Sequence, residues 1–298
     1  MGVLLELVMG NKINNKKLLT TQSSGPFPQL TWRQRRLISD GMGEKMKKLK
    51  ILLLALLGLC IFAVSTIVAN NAIPLIVLIE RDPWLMVIGS DSPSFVLYDD
   101  GTLIFLKTLE SGKKEYLYVS LDNGSLQKIV KELAPPSDFL KLKDDYSLSD
   151  WTDQPTQEFI INLINFKKKV TVYGNLRNDE ETRKKAPEPI LELFDKIIGY
   201  HNKNAQKWLP SKIEVMVWPY EYAPDESIIW PSDWPDLNDK ATKKIGDSYS
   251  LFLDSSKFNN LLEFLKTRKE KGAVEINNKK WAVSYRFPFP AEEKWMNP

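Results

Sequence analysis

Trp218-Pro219-Tyr220-Glu221-Tyr222 and Trp230-Pro231-Ser232-Asp233-Trp234-Pro235-Asp236 set flat aromatic rings beside carboxylates in one short stretch. Sugar recognition requires that pairing, a ring face for stacking and carboxylates for the sugar hydroxyls. On this reading Trp218, Tyr220, Trp230, Trp234 and Asp236 are the candidate ligand-binding residues. The same composition serves a long ordered loop that covers a core, the rings supplying buried area and the prolines stiffening the backbone. Both readings stay open from the residues alone.

A second constellation is an acidic loop, Asp144 and Asp145 with Asp150 and Asp153. Loop carboxylates bind Ca²⁺ or work as an acid/base pair. The Asp-x-Asp-x-Asp-Gly spacing of a calcium loop is missing, so Asp144, Asp145 and Asp153 stand as a candidate acidic site beside the plainer reading of a solvated connection. In that plainer reading Asp153 caps a turn before Pro155. His201 is the only histidine, which excludes a multi-His metal site in one chain. No Gly-rich phosphate loop or dinucleotide fingerprint occurs. No catalytic residue, metal ligand or cofactor is therefore assigned.

These residues follow a segment that decides location. Ile51 to Ala69 is nineteen residues without a charge, directly after Lys45, Lys47, Lys48 and Lys50. As a helix it would span about 28 Å, close to the ~30 Å hydrocarbon core of a bilayer. Seven Lys or Arg lie between Thr31 and Lys50, against Arg81 alone between Asn70 and Ser90. That asymmetry predicts a cytoplasmic N-terminus and an exported C-terminal part. The lipid bilayer is thus the expected partner of residues 51–69. A cleaved signal peptide is the alternative, giving a secreted or periplasmic protein. Against cleavage, the run is long, Ala63-Val64-Ser65 lies inside it, and Ile67 sits two residues before Ala69. Met46-Lys47-Lys48-Leu49-Lys50 would also serve as a start, leaving residues 1–45 either a cytoplasmic tail or untranslated. Cys60 reads as a small apolar residue of the span, since Leu59 and the following Ile61-Phe62 do not suit a lipid-attachment site.

Ten of the 41 basic and three of the 38 acidic residues lie in residues 1–50, leaving the remainder mildly acidic. A nucleic-acid partner is excluded on that ground, because phosphate binding needs a concentrated cationic face. With no cysteine beyond Cys60, the exported part has no internal disulfide and must be held by its core.

The predicted fold class is α+β, antiparallel hairpins packed with helices. The organisation is a tail (1–49), the anchor or signal (50–70), a first α+β domain (84–204) and a second unit (210–298). In the first domain, Phe95–Tyr98 and Leu103–Leu106 flank Asp99-Asp100-Gly101-Thr102, a hairpin signal. Tyr116–Leu121 reads as a third strand. Ser125 offers an N-cap for a helix through Leu133, ended by Ala134-Pro135-Pro136. Phe159–Ile164 and Val170–Tyr173 read as a hairpin around Phe166–Lys169, and Pro189 to Tyr200 as a helix. In the second unit, strands are expected at Ile213–Trp218 and Tyr249–Leu253 and a helix from Ser256 to Lys269. A last hairpin joins Val274–Ile276 and Trp281–Tyr285 across Asn277–Lys280. Both units run strand, Asp (Asp122, Asp254), apolar helix face, then Ile-Asn-x-Lys-Lys and a strand. Remote duplication and chance convergence both account for that.

The order Phe95-Val-Leu-Tyr-Asp-Asp-Gly-Thr-Leu-Ile-Phe, strand and helix, Trp151-Thr-Asp-Gln-Pro-Thr, Lys-rich strand and Pro189-x-Leu191 resembles a domain family of unknown function. Its members occur in exported or membrane-anchored bacterial proteins. The resemblance spans roughly residues 93–200 and implies an envelope location and an α+β domain. It carries no activity and no site residues. The resulting expectation is a membrane-anchored bacterial envelope protein with a non-catalytic binding or scaffolding ectodomain, its partner an unknown envelope protein or glycan. The alternative is a glycan-binding or glycan-processing protein that uses the Trp/Pro stretch.

Overall fold

A computed structural model describes residues 72–83, 92–109 and 112–296. The expected tail and membrane segment, Cys60 included, lie outside the described residues. Among the described residues, no helix is long and apolar enough to cross a membrane. The class is mixed α+β, with two largely antiparallel sheets and few helices.

The first sheet is built from β1 (Pro74–Arg81), β2 (Pro93–Tyr98), β3 (Thr102–Thr108), β4 (Lys114–Ser120), β5 (Asp145–Ser147), β6 (Thr156–Leu163), β7 (Phe166–Tyr173) and β8 (Gln206–Lys207). Their order is β5-β7-β6-β1-β2-β3-β4-β8, antiparallel except for β5 on β7. The second sheet holds β9 (Lys212–Pro219), β10 (Asp225–Ile229), β11 (Lys243–Ile245), β12 (Ser248–Asp254), β13 (Gly272–Ile276) and β14 (Lys279–Arg286) in the order β10-β13-β14-β9-β12-β11.

The Asp-Gly hairpin of β2 and β3 forms where expected. Gly101 takes a φ of 85°, and a Cβ there would collide with the carbonyl oxygen of Leu121. Helix α1 (Asn123–Leu133) is capped by Asp122, not Ser125: the Asp122 carboxylate accepts the Ser125 N–H at 2.8 Å. A carboxylate three residues earlier reaches the free N–H groups of the first turn, so the cap moves upstream. The β6–β7 turn is Ile164-Asn165, tighter than the expected Phe166–Lys169. Phe166 belongs to the strand because its ring packs on Phe139, centroids 6.2 Å apart. Likewise β13 and β14 join through two residues, Asn277 (φ 50°) and Asn278 (φ 61°), both left-handed as a type I′ turn demands. Helices α2 (Glu180–Lys185) and α3 (Glu188–Ile198) follow β7. A 3-10 turn at Ser255–Lys257 delays α4 to Phe258–Lys266, shorter than the expected Ser256–Lys269.

One face of the first sheet carries Ile76, Leu78, Phe95, Leu97, Phe105, Phe159 and Ile161, covered by α1, α3 and a 3-10 turn at Ser137–Lys141. Alternation along a strand sends Val77, Ile79, Val96, Tyr98 and Ile104 to the opposite face. That face is buried too, by Trp208, Phe289 and Trp295. Strand β1 begins ten residues before the expected domain start at 84, yet it lies in the middle of the sheet.

Trp208 lies just before the second sheet, and the other covering aromatics come from beyond it. After β14, Phe287 and Phe289 lead into a short helix, α5 (Glu293–Met296). Tyr116 meets Trp208, Phe287 and Phe289 edge-on at 5.8, 5.8 and 5.4 Å. The Tyr98 hydroxyl donates to the Pro290 carbonyl at 2.9 Å, and burial raises its pKa. The tail is turned back by Arg286, which forks onto Glu292 at 2.8 and 2.6 Å and reaches Glu214 at 2.6 Å. Ser250 donates to the same Glu214 at 2.6 Å. Burial opposes the charge on Arg286, but hydrogen bonds and both carboxylates hold it firmly protonated.

The two recurring strand–Asp–helix–hairpin units share local form and differ in arrangement. In the first sheet the hairpin meets its neighbour through its first strand, β6 on β1. In the second it does so through its last, β14 on β9.

Trp295→Ala should lower the unfolding free energy by about 3–5 kcal/mol, the range for emptying a buried Trp site. Denaturant titration followed by circular dichroism measures it. A loss below about 1 kcal/mol would mean the tail is not needed to close the first sheet.

Candidate ligand cleft

Several strand ends of the first sheet meet at one edge: the end of β1, the starts of β2 and β6, the end of β3 and the start of β4. The segment after β7 and the last turn of α3 close the space between them. The result is a cleft of about 920 Å³ with polar walls. Its rim holds Arg81, Lys107 and Lys114 with Asp82 and Asp153, and its inner wall includes Gln157 and Tyr200.

The wall is held by fixed charge pairs. Glu80, at the end of β1, takes a two-pronged bond from Arg177, both contacts 2.6 Å. Asn175 orients that arginine, its side-chain oxygen accepting the N–H groups of Arg177 and Asn178 at 3.1 and 3.0 Å. The Glu80 carboxylate beside Arg177 holds the guanidinium above its usual pKa. Tyr200 stands edge-on to Phe95 and Phe105 at 5.9 and 5.1 Å, its pKa raised by burial.

Gln157 lies in the lining of the cleft. It pairs across the sheet with Glu80 on one side and Val172 on the other, and is 1% exposed. Its side-chain oxygen is buried and has no hydrogen-bond partner. A buried amide oxygen left unpaired costs about 1–3 kcal/mol.

On the other face of the same strand, Glu158 fixes the rim cation. Arg81 donates to it at 2.8 Å and Lys169 pairs with it as well. Burial alone would raise the Glu158 carboxyl, but the bonds and charges of Lys169 and Arg81 hold it below the ordinary carboxylate value.

Of the residues singled out from sequence, only Asp153 reaches this cleft, its backbone left-handed at φ 58°. Asp144 is engaged by Lys168 at 2.6 Å, and Asp145 starts β5 on the exposed outer edge. The three aspartates therefore do not form one acidic site. Among the described residues, no group of three His, Cys, Asp or Glu is placed to hold a metal ion. His201 lies exposed after α3, its Nδ1 3.3 Å from the Gly199 carbonyl oxygen.

The Trp/Pro stretch is also distributed. Trp230 and Trp234 are 6% and 8% exposed, stacked edge-on at 5.0 Å and against Phe264 at 5.6 Å each. The Trp230 indole N–H donates to the Pro235 carbonyl at 3.0 Å, so its polar edge is satisfied inside the protein. Both rings serve the core of the second sheet and are not presented to a sugar. Asp236 accepts from the Asn277 amide at 2.8 Å, tying the stretch to the β13–β14 turn, while Trp218 and Tyr220 are half-buried.

Glu80, Gln157, Lys107, Lys114 and Arg177 were not singled out. Nothing in their spacing marks them, since strand register pairs Glu80 with Gln157 and the turn after β7 carries Arg177 to Glu80. A scan against protein-family models and searches of curated proteins and of solved structures return no match. The family resemblance over residues 93–200 thus rests on its motif order.

Glu158→Gln should destabilise the protein by about 1–2 kcal/mol at pH 7, more than a surface pair and less than a fully buried one. Because the folded carboxyl lies below the unfolded value, that stability is present above pH 4.5 and lost as pH falls through the folded value. Wild type and variant should therefore converge in acid. A difference unchanged between pH 7 and the acid limit would contradict the assignment.

Proposed function

We propose that this chain is a bacterial envelope protein held by a single membrane span at residues 51–69, with its N-terminus cytoplasmic. The described α+β unit lies outside the cytoplasm and acts as a non-catalytic binding or scaffolding module. Its ligand enters the polar cleft at the Glu80–Arg177 edge of the first sheet. The cationic approach to the apolar run, the family resemblance and the cleft support this reading together.

The single observation that carries the binding half is the partnerless Gln157 oxygen in the wall of an open polar cleft. It favours a small polar ligand that bears N–H or O–H donors. The rim, with cations and carboxylates interspersed, suits a ligand carrying both signs of charge, such as an amino acid, a short peptide or an amino sugar.

Thermal denaturation of the full chain in detergent tests this against a panel of amino acids, dipeptides, amino sugars and neutral oligosaccharides. At least one donor-bearing compound should raise the Tm. Gln157→Leu should weaken its binding about tenfold, the worth of one buried hydrogen bond. A panel without any shift, or a shift that Gln157→Leu leaves intact, would remove the cleft from consideration.

A further inference from the structure

The edge of the first sheet opposite the cleft has the reverse character. There the start of β1, the β6–β7 turn and one flank of α1 enclose an apolar groove of about 880 Å³. Ile73, Leu75, Leu126, Val130 and Phe166 line it, and Ile164 stands at its lip, 97% exposed. The register that pairs Ile76 with Ile161 carries Ile73 alongside Ile164, and the Asn162 amide donates to the Pro74 carbonyl at 3.3 Å to hold the two together. Ile164 sits at the tip of a two-residue turn with its side chain in the open, so packing within the chain does not explain an apolar residue there.

We propose that this edge docks on the bilayer surface, with Ile164 inserted at the level of the lipid headgroups and Ile73 beside it. The inference rests on the membrane span proposed above. Chain length supplies the rest. Three residues separate Ala69, the end of the apolar run, from Ile73, which makes four steps of at most about 3.6 Å each in a fully extended chain. Ile73 therefore lies within about 14 Å of the hydrocarbon core, whose headgroup layer is itself about 5–8 Å thick on each side. No neighbouring surface other than lipid must approach this groove so closely. Lys131 and Lys167 lie on its rim, where they meet phosphate, together with Asp99, whose carboxylate accepts the Ile73 N–H at 2.7 Å.

The test places one environment-sensitive fluorophore on the full chain reconstituted in vesicles of mixed zwitterionic and anionic phospholipid, some bearing a headgroup nitroxide. Cys60→Ser removes the native thiol, and Ile164→Cys or Trp151→Cys provides the label site. Trp151 is exposed and bonded through its carbonyl to Tyr173, at the far end of the same hairpin, about 26 Å away by strand length. The label at 164 should be blue-shifted and quenched severalfold more than the label at 151. Equal quenching in protein that floats with alkali-washed vesicles would overturn the docking and leave the span standing. A blue shift at 164 without lipid quenching would also overturn it, pointing to a second copy or another protein on the groove. Failure to float would remove the span and the docking together.

Discussion

Strands β1 and β2 bear apolar side chains on both faces, so one layer of helices cannot complete the sheet they centre. Burial of such a strand needs a second cover. In this chain the cover is made by Trp208 and by the residues that follow the second sheet, Phe289 and Trp295 above all. The cover is directional as well as apolar. The Tyr98 hydroxyl donates to the Pro290 carbonyl, and Arg286 turns the tail back through Glu292 while staying bonded to Glu214. The first sheet therefore depends on the last residues of the chain. The second sheet, whose own core is Trp230, Trp234 and α4 over β9, β12 and β14, meets the first through Phe287, which packs on Phe258 and on Tyr116.

A sheet clamped on both faces leaves only its ends for chemistry. At one end of β1 lie Ile73 and Leu75 in an apolar groove, and at the other Glu80 and Arg81 in a polar cleft. Strand β1, eight residues and about 26 Å long, runs from one surface to the other. In the orientation proposed here the apolar end rests at the lipid and the cleft opens away from it, toward whatever ligand the envelope offers. A rigid strand running from the anchor to the site would keep the cleft at a set height above the membrane.

Much of the local structure was legible because it depends on neighbours in sequence. Asp99-Asp100-Gly101 announced its hairpin, Ala134-Pro135-Pro136 ended α1, and the apolar period of Ile190, Leu193, Phe194 and Ile197 marked α3. Turn lengths were overestimated where a strand residue looked like loop: Phe166 is apolar but precedes three lysines, and its burial against Phe139 is a tertiary fact. Strand β1 is hard to read from sequence, because its apolar run follows the membrane segment closely and shows no polar alternation. The cleft was illegible for a different reason. Glu80, Gln157 and Arg177 are far apart in sequence and meet only through the register of β1 and β6 and the turn that follows β7. The Trp/Pro stretch drew attention by composition, but composition does not tell a ring packed on Phe264 from one held open for a ligand.

Native-state amide hydrogen exchange read peptide by peptide tests the central claim, that the tail of the second half closes the first sheet into one cooperative body. If it does, amides in the centres of β1, β2, β9 and β14 exchange only through global unfolding and report one common free energy. Protection of β9 and β14 that outlasts that of β1 and β2 by several kcal/mol, or separate unfolding of the two sheets, would contradict it.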